Sequence, residues 1–237
     1  MLHAPLGDTR LQHLDRYLDT AAHELFDHDR RLRGLDLKAE FRGGVAHLTG
    51  AVAEPGHLRL ARDLLGRLAG VLAVWDRVLV AGRTPVILDI GCGDTKQYPD
   101  SIGVDLRAAR DVDVVADLRD GLPFPDASAD RVFAVHVLEH LVDFLPLVDE
   151  CHRVLRPGGI LHVLSPWWRY VNAVADPTHV RLLDVQTMKG ICDRVDTGLR
   201  WHPLHAGCDG ASVFADLMKV DADAPAPARE HLARFFD

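Results

Sequence analysis

Residues 86–93 read Val-Ile-Leu-Asp-Ile-Gly-Cys-Gly, a short apolar run that ends in two glycines. An aliphatic run of this length that leads into glycine is typical of a buried strand of a parallel sheet. Glycines at the carboxyl end of such a strand let a ligand approach the backbone closely, because they carry no side chain. The stretch therefore predicts an α/β domain with a binding site at the edge of its sheet.

The chain that follows predicts more strands of the same kind. Residues 144–155 read as a helix, and residues 199–220 as two final strands of which the last is antiparallel. Strands separated by helices form a parallel sheet that is covered on both faces. We therefore expect an α/β fold over residues 83–237, with a doubly wound, seven-stranded, Rossmann-like sheet. The remaining strands are predicted at 101–104, 112–116, 131–135 and 160–164.

Two acidic residues follow the second and third predicted strands. Asp105 is placed to accept hydrogen bonds from both hydroxyls of an adenosine ribose, and Asp117 to accept one from an adenine amino group. A dinucleotide cofactor such as NAD is disfavoured, because a third glycine is missing and Asp94 would repel a pyrophosphate.

Six short motifs occur in order along residues 86–166, and together they resemble a known family. They are Asp-Ile-Gly-Cys-Gly, Gly-Val-Asp, Ala-Asp-Leu, Leu-Pro-Phe-Pro-Asp, His-Val-Leu-Glu-His-Leu and Leu-Arg-Pro-Gly-Gly. The stretch is similar to class I S-adenosylmethionine (SAM)-dependent methyltransferases of the type 11 branch, which have a short first crossover. The resemblance implies methyl transfer from SAM to an oxygen or nitrogen atom of a small-molecule acceptor. The alternative is a noncatalytic SAM-sensing protein that docks to a partner or a lipid.

The resemblance also implies which residues bind SAM. One departure from the family pattern is the missing glycine after Gly93, and it leaves Lys96 or Gln97 as a partner for the carboxylate of the cofactor. The implied cofactor-binding set is Asp89, Gly91, Cys92 and Gly93 in the first loop, Asp105 and Leu106 after the second strand, Asp117 and Leu118 after the third, and His136 beside the methionine moiety.

A cluster of metal-binding residue types follows the fourth strand. His136, Glu139 and His140 share one face if a helix begins at once, because they stand at i, i+3 and i+4. Small-RNA 2′-O-methyltransferases and ubiquinone-pathway O-methyltransferases resemble this segment and hold a metal with Glu-x-x-Glu-His and a later histidine, here His179. The resemblance thus implies a divalent metal held by these four residues. Without a metal, His179, with His140 as the second candidate, is the predicted catalytic base.

The loop after the fifth strand holds two further candidates. Residues 167–170, Trp-Trp-Arg-Tyr, are predicted either to wall an acceptor pocket or to pack against the last helix. Arg181 is predicted to pair either with an anionic substrate or with Asp176 or Asp184.

Residues 1–82 predict a separate small α+β domain. Helical spacing over 10–26, a strand hairpin around Arg42-Gly43-Gly44, a second helix over 57–68 and a strand over 71–80 give the order αββαβ. The glycine-bearing stretches 44–52 and 70–74 resemble a BON domain, a lipid-associated module of bacterial envelope proteins. This resemblance implies membrane or lipid contact, whereas docking to a partner or dimerisation is the favoured interpretation.

Composition and charge exclude several classes of protein. The 237 residues are 48% hydrophobic and 26% charged, as in a globular protein with a buried core. The net charge of −8 resides in 83–237, which holds 16 basic and 24 acidic residues, whereas 1–82 holds 11 of each. Nonspecific nucleic-acid binding is therefore disfavoured. The first ten residues show no pattern of an export signal, which predicts a cytoplasmic location. No feature of the sequence indicates the oligomeric state.

Overall fold

The computed structural model describes residues 8–194, 197–221, 223–225 and 228–236. The chain divides into two units, 1–85 and 86–237, so the predicted boundary lies three residues before the division. Residues 1–7, on which the predicted cytoplasmic location partly rests, lie outside the described residues.

The first unit contains two helices and a four-stranded sheet. Strand β2 pairs antiparallel with β1 and parallel with both β3 and β4, so the strand predicted over 71–80 is interrupted. Apolar side chains of both helices pack with the strands in one core. The elements are α1 (Asp8–His28), β1 (Asp36–Arg42), β2 (Val45–Val52), α2 (Pro55–Gly66), β3 (Ala73–Asp76) and β4 (Leu79–Val80).

Polar contacts fix both helices of this unit to its sheet. The carboxylate of Asp15 on α1 accepts hydrogen bonds from the backbone N–H groups of Gly43 and Gly44, each at 2.8 Å. On α2, Nη2 of Arg62 lies 2.6 Å from Oδ2 of Asp76, and the two side chains are only 9% and 0% exposed. A buried pair of this kind requires both partners, because either charge alone would lie in the core without compensation.

The second unit is built on a seven-stranded sheet, as predicted. Its strand order is β10-β11-β9-β8-β5-β6-β7. Strand β11 pairs antiparallel with β9 and β10, and the other pairs are parallel. The strands are β5 (Ile87–Ile90), β6 (Ile102–Asp105), β7 (Val114–Val115), β8 (Ala129–Val135), β9 (Leu155–Pro166), β10 (Arg200–Cys208) and β11 (Ser212–Val220).

Helices cover this sheet less evenly than the sequence predicts. Residues 91–101, all of which the structure describes, contain no helix, in the connection that the sequence predicts to be a short first crossover. Within the described part of the chain, no helix is long and apolar enough to cross a membrane. The helices are α3 (Leu145–Val154), α4 (Val171–Ala175), α5 (Val185–Cys192) and α6 (Arg229–Phe236), with short 3₁₀ turns at Leu118–Asp120 and Leu138–His140.

The order of the strands places a crevice at the end of β5. The chain runs from β5 through β6 to β7 on one side, and then returns to β8 on the other side of β5. All four residues of β5 are buried, and β8 is buried up to its last residue. In sheets of this type, ligands bind where the order reverses, at the carboxyl ends of the strands. The glycine loop after β5 lies at this position.

Candidate active site

The loop after β5 depends on glycine at two positions. Gly91 has a φ of +66°, and a Cβ there would meet Cγ2 of Val137 at 2.7 Å, closer than real side chains approach. Gly93 has a φ of +57°. A positive φ is strained for residues with a side chain, so glycine lets this loop lie directly against Val137.

Asp105 at the end of β6 holds the same loop. Its Oδ2 accepts a hydrogen bond from the backbone N–H of Gly93 at 2.9 Å, and its Oδ1 accepts one from that of Arg107 at 3.1 Å. A carboxylate has about four lone-pair positions, so each oxygen can accept one more hydrogen bond. Asp105 can therefore position the loop and bind a pair of hydroxyls at the same time.

A cavity of about 620 Å³ opens at this edge of the sheet. Its volume suits a ligand of nucleoside size. Six of the nine predicted cofactor-binding residues line it, namely Gly91, Asp105, Leu106, Asp117, Leu118 and His136. The rest of its lining is Arg107, Arg119, Val137, His140, Leu141 and Thr178.

The carboxylate of Asp117 forms an ion pair with Arg119, a residue that the sequence analysis does not single out. Nη2 of Arg119 lies 2.6 Å from its Oδ2, and Nε lies 2.9 Å from its Oδ1. The hydrogen bonds from the guanidinium lower the pKa of Asp117 to about 2. Asp117 is therefore an ionised acceptor, as an adenine contact requires, but Arg119 already occupies part of it.

Three of the predicted cofactor-binding residues shape the loop and lie outside the cavity lining: Asp89, Cys92 and Gly93. Asp89 is 1% exposed, and its Oδ2 accepts a hydrogen bond from the backbone N–H of Gln97. Burial raises the pKa of Asp89 to about 6, although this hydrogen bond and the charge of Lys96 oppose the shift. Burial likewise raises the pKa of the Cys92 thiol to about 11, so it is protonated at neutral pH.

The predicted partner of the cofactor carboxylate has another role. Nζ of Lys96 lies 3.0 Å from the carbonyl oxygen of Ser101 and 2.9 Å from Oδ2 of Asp113. Lys96 therefore ties the loop to the start of β6, and neither it nor Gln97 lines the cavity. An acidic residue of the protein itself thus binds the ammonium group of Lys96, and its contact with the cofactor stays a prediction.

His136 begins a sharp change of direction after β8. Its φ is +56°, and its backbone N–H donates to the carbonyl oxygen of Leu164 at 2.8 Å. An α-helix cannot begin there, because pairing with β9 continues through this residue. The predicted helix is replaced by the 3₁₀ turn Leu138–His140.

Glu139 lies beneath this turn and orients His136. It is 1% exposed, and it accepts hydrogen bonds from Nδ1 of His136 at 3.1 Å and from Oγ of Ser165 at 2.8 Å. Burial opposes ionisation, but the hydrogen bonds from His136, the backbone and Ser165 outweigh it and lower the pKa of the carboxyl. A carboxylate only accepts hydrogen bonds, so Nδ1 of His136 carries a proton, and in the neutral ring the lone pair lies on Nε2.

The hydrogen bonds around His140 fix its tautomer as well. The hydroxyl of Thr178 donates to Oδ1 of Asp176 at 2.6 Å, so its oxygen can only accept from Nδ1 of His140 at 3.1 Å. The carbonyl oxygen of Thr178 lies 3.3 Å from the same nitrogen and also accepts. Nδ1 of His140 is therefore the donor, and in the neutral ring the lone pair lies on Nε2.

Three of the four predicted metal ligands come together. The rings of His140 and His179 are 4.8 Å apart between centroids. One ligand atom from each of Glu139, His140 and His179 lies within 4.8 Å of the others, whereas His136 is not part of this group. Carboxylate and imidazole suit a divalent cation, and a carboxylate that accepts two hydrogen bonds still has lone pairs to offer. The three residues thus supply the donor types that a divalent metal prefers.

A second cavity, of about 470 Å³, adjoins the first. His136 and His140 line both cavities. The histidines therefore stand between two spaces, each large enough for a ligand. The remaining lining of the second cavity is Pro166, Asn172, Ala175, Asp176 and His179.

Comparisons with known proteins show which family this chain belongs to. A family model described as a methyltransferase domain matches residues 88–163. A probable SAM-dependent methyltransferase of Mycolicibacterium smegmatis is 33% identical over 175 residues, which cover 61% of this chain and 67% of that protein. The chain belongs to the SAM-dependent methyltransferases.

Other relatives of this methyltransferase match over shorter stretches. A probable SAM-dependent methyltransferase of Mycobacterium tuberculosis is 35% identical over 120 residues, which cover 45% of this chain and 44% of that protein. The chain thus spans less than half the length of this relative. A crystal structure of a SAM-dependent methyltransferase from Aquifex aeolicus has a TM-score of 0.44 at 17% identity, and covers 57% of this chain and 82% of that one.

The aromatic loop of the methyltransferase does not wall the second cavity. Nε1 of Trp167 donates to Oδ2 of Asp184 at 2.8 Å, and Trp168 is 47% exposed. The guanidinium of Arg169 lies 5.6 and 5.5 Å from the two indole rings. Nε of Arg181 donates to the carbonyl oxygen of Val142 rather than to Asp176 or Asp184, and pairing of Arg181 with an anionic substrate stays a prediction.

Sequence reasoning missed both arginines of the first cavity. Arg107 and Arg119 each follow, by two residues, an acidic residue that is predicted to bind the cofactor. Their backbone N–H groups donate to Asp105 and Asp117 respectively. The repeated Asp-x-Arg spacing was the available signal.

Proposed function

We propose that this methyltransferase moves the methyl group of SAM, bound in the first cavity, to an oxygen or nitrogen atom of a small-molecule acceptor in the second. The observation that carries the proposal is the shared wall, because His136 and His140 line both cavities. Ligands in the two spaces would meet beside these histidines. The sulfonium methyl group is already activated, so the protein has chiefly to align the acceptor and remove its proton.

The proposed proton acceptor is Nε2 of His140. Its lone pair follows from the hydrogen bonds of Nδ1 to Thr178, and the ring lies at the junction of the cavities. His179 is the first candidate from sequence, and it also lines the second cavity, but its side chain is only 8% exposed. In the proposal, His179 packs against His140 and limits its rotation.

A second candidate for activation of the acceptor is a divalent cation. The close approach of ligand atoms from Glu139, His140 and His179 favours it. A bound cation would lower the pKa of an acceptor hydroxyl. Removal of metal by chelation distinguishes the two candidates.

The proposal is tested with SAM labelled in its methyl group and a panel of alcohols, phenols and amines. Transfer of label to at least one class is expected. His140→Gln should lower turnover by about 10²–10⁴-fold, the usual contribution of a general base. The matched control is His28→Gln on α1 in the first unit, where the substitution should change nothing. Binding of SAM without transfer to any class would contradict the proposal and favour the noncatalytic alternative.

For the first unit, we propose a BON-like docking domain that acts through a protein partner. The order of its elements, which is αββαβ with the last strand divided into β3 and β4, supports this, as does the glycine turn that Asp15 holds. Flotation of the full chain with phosphatidylcholine vesicles, and with vesicles that also contain phosphatidylglycerol, tests it. No flotation is expected, whereas flotation with either would indicate the lipid-binding role instead.

A further inference from the structure

Exposed apolar side chains are concentrated in the segment 168–182, which also supplies Asn172, Ala175, Asp176 and His179 to the lining of the second cavity. Of the ten large hydrophobic residues that are exposed in the described chain, six lie at position 142 or within 168–182. Single exposed hydrophobic residues are ordinary, but a concentration of them marks a binding surface. These six, here named the apolar rim, are Val142 (70% exposed), Trp168 (47%), Val171 (49%), Val174 (66%), Val180 (51%) and Leu182 (54%).

Backbone contacts gather the apolar rim at the turn that carries Glu139. The N–H groups of Val180 and Arg181 both donate to the carbonyl oxygen of Glu139, at 2.8 and 3.1 Å. Nε of Arg181 in turn binds the carbonyl oxygen of Val142. At the other end of the segment, the N–H of Trp168 donates to the carbonyl oxygen of Leu183 at 3.0 Å. The segment is therefore closed on itself between Trp168 and Leu183 and tied to the turn at Glu139.

The lining of the second cavity carries several polar groups. Val171, Val174 and Val180 are each adjacent in sequence to a residue of its lining, namely Asn172, Ala175 and His179. Three histidines, an asparagine and the carboxylate of Asp176 supply its polar groups. Of the described residues that line it, none is Lys or Arg.

We infer that the acceptor is an uncharged amphiphile, with a hydroxyl group at its polar end and a hydrocarbon body. The hydroxyl group lies among the histidines, next to the methyl group of SAM, and the hydrocarbon body lies along the apolar rim. This inference rests on the proposed function, since it assigns the second cavity to the acceptor. Asp176 disfavours an anionic acceptor, and the described lining of this cavity contains no Lys or Arg.

Calorimetric titration tests this inference. The full chain is saturated with S-adenosylhomocysteine and then titrated with 4-alkylphenols whose alkyl group ranges from ethyl to octyl. Affinity should rise at least about twofold per added methylene group, since full burial of each corresponds to about 0.8 kcal/mol, or fourfold. 4-Hydroxybenzoate, which is anionic, should bind at least tenfold more weakly than 4-ethylphenol. In the double variant Val171→Ser, Val174→Ser, the affinity for 4-alkylphenols should depend less on the length of the alkyl group. Binding of S-adenosylhomocysteine should be unchanged. The matched control is Tyr17→Ser, which alters an aromatic residue of α1 that is 60% exposed.

The outcomes separate this inference from the proposed function. A chain that does not bind S-adenosylhomocysteine contradicts the proposed function. A chain that binds it, but shows no dependence on alkyl length or prefers 4-hydroxybenzoate, overturns the inference alone. Sedimentation of both proteins supplies a further check. A wild-type dimer that the double variant converts to monomer, with no dependence on alkyl length, would show that a second copy of the chain covers the rim.

Discussion

Nδ1 of His136 lies 3.1 Å from Oε1 of Glu139, and this hydrogen bond joins a histidine at the cavity surface to a carboxylate that is 1% exposed. The carboxylate therefore determines which nitrogen of His136 carries the proton. Its ionisation also contributes to the stability of the turn.

The stability of the chain at acidic pH should depend on the ionisation of Glu139. Hydrogen bonds hold its folded-state pKa below the ordinary value of 4.5, so its stabilising effect is present above that value and is lost as the pH falls through the folded-state pKa. Glu139→Gln should lower the free energy of unfolding at pH 7 by about 1–3 kcal/mol and should flatten the loss of stability below about pH 4.5. Urea denaturation from pH 3 to 7 measures this. The exposed Glu24→Gln is the control, and identical pH profiles for wild type and Glu139→Gln would contradict the assignment.

Gly91 should be the glycine on which cofactor binding depends most. Alanine there requires a φ of +66° and places Cβ 2.7 Å from Cγ2 of Val137. Gly91→Ala should lower the affinity for S-adenosylhomocysteine at least tenfold and lower the free energy of unfolding by about 1–3 kcal/mol. Gly190→Ala is the matched control, because Gly190 lies inside α5 and a Cβ added there would meet nothing within 4 Å. This control should stabilise the chain by about 0.5–1 kcal/mol and leave binding unchanged. Equal effects of the two substitutions would refute the argument.

The buried ion pair of the first unit tests whether the two units are independent. Asp76→Asn leaves the charge of Arg62 buried without compensation and should cost about 3–5 kcal/mol of stability. Asp63→Asn breaks an exposed pair with Arg67 on the same helix and should cost at most about 1 kcal/mol. Denaturation followed by circular dichroism measures both. Neither substitution should alter the affinity for S-adenosylhomocysteine, and a parallel loss of binding in Asp76→Asn would show that the second unit depends on the first.

Chelation should leave turnover unchanged if Nε2 of His140 takes the proton directly. The chain is dialysed against EDTA, the chelator is removed, and methyl transfer is compared with that of untreated protein. Under the proposed mechanism, His140→Gln should lower turnover strongly and His179→Gln should lower it less, since His179 only packs against the ring of His140. Turnover that disappears on chelation and returns with Zn²⁺, with equal damage from the two variants, would favour the metal instead.

Local pattern was enough to predict most of the second unit. The run Ile87–Ile90 and the later apolar runs identify strands because burial on both faces requires uninterrupted aliphatic residues. Asp105 and Asp117 could be assigned to the cavity because parallel strands end at the same edge of the sheet.

Contacts between residues distant in sequence could not be predicted. No local feature shows that Asp113 would bind Lys96. A helix at His136 agrees with the residue spacing, but the hydrogen bond to Leu164 prevents it. Both outcomes depend on neighbours that only the folded chain brings together.

The most direct test of the central claim is calorimetric titration of the full chain with S-adenosylhomocysteine, for wild type, Asp105→Asn and the exposed control Asp193→Asn. Wild type should bind S-adenosylhomocysteine saturably at one site, and Asp193→Asn should bind it with the same dissociation constant. Asp105→Asn should bind at least about tenfold more weakly, because it loses charge-assisted hydrogen bonds of about 1.5–3 kcal/mol each to the ribose hydroxyls. An unchanged dissociation constant in Asp105→Asn, or no binding in wild type, would contradict the account.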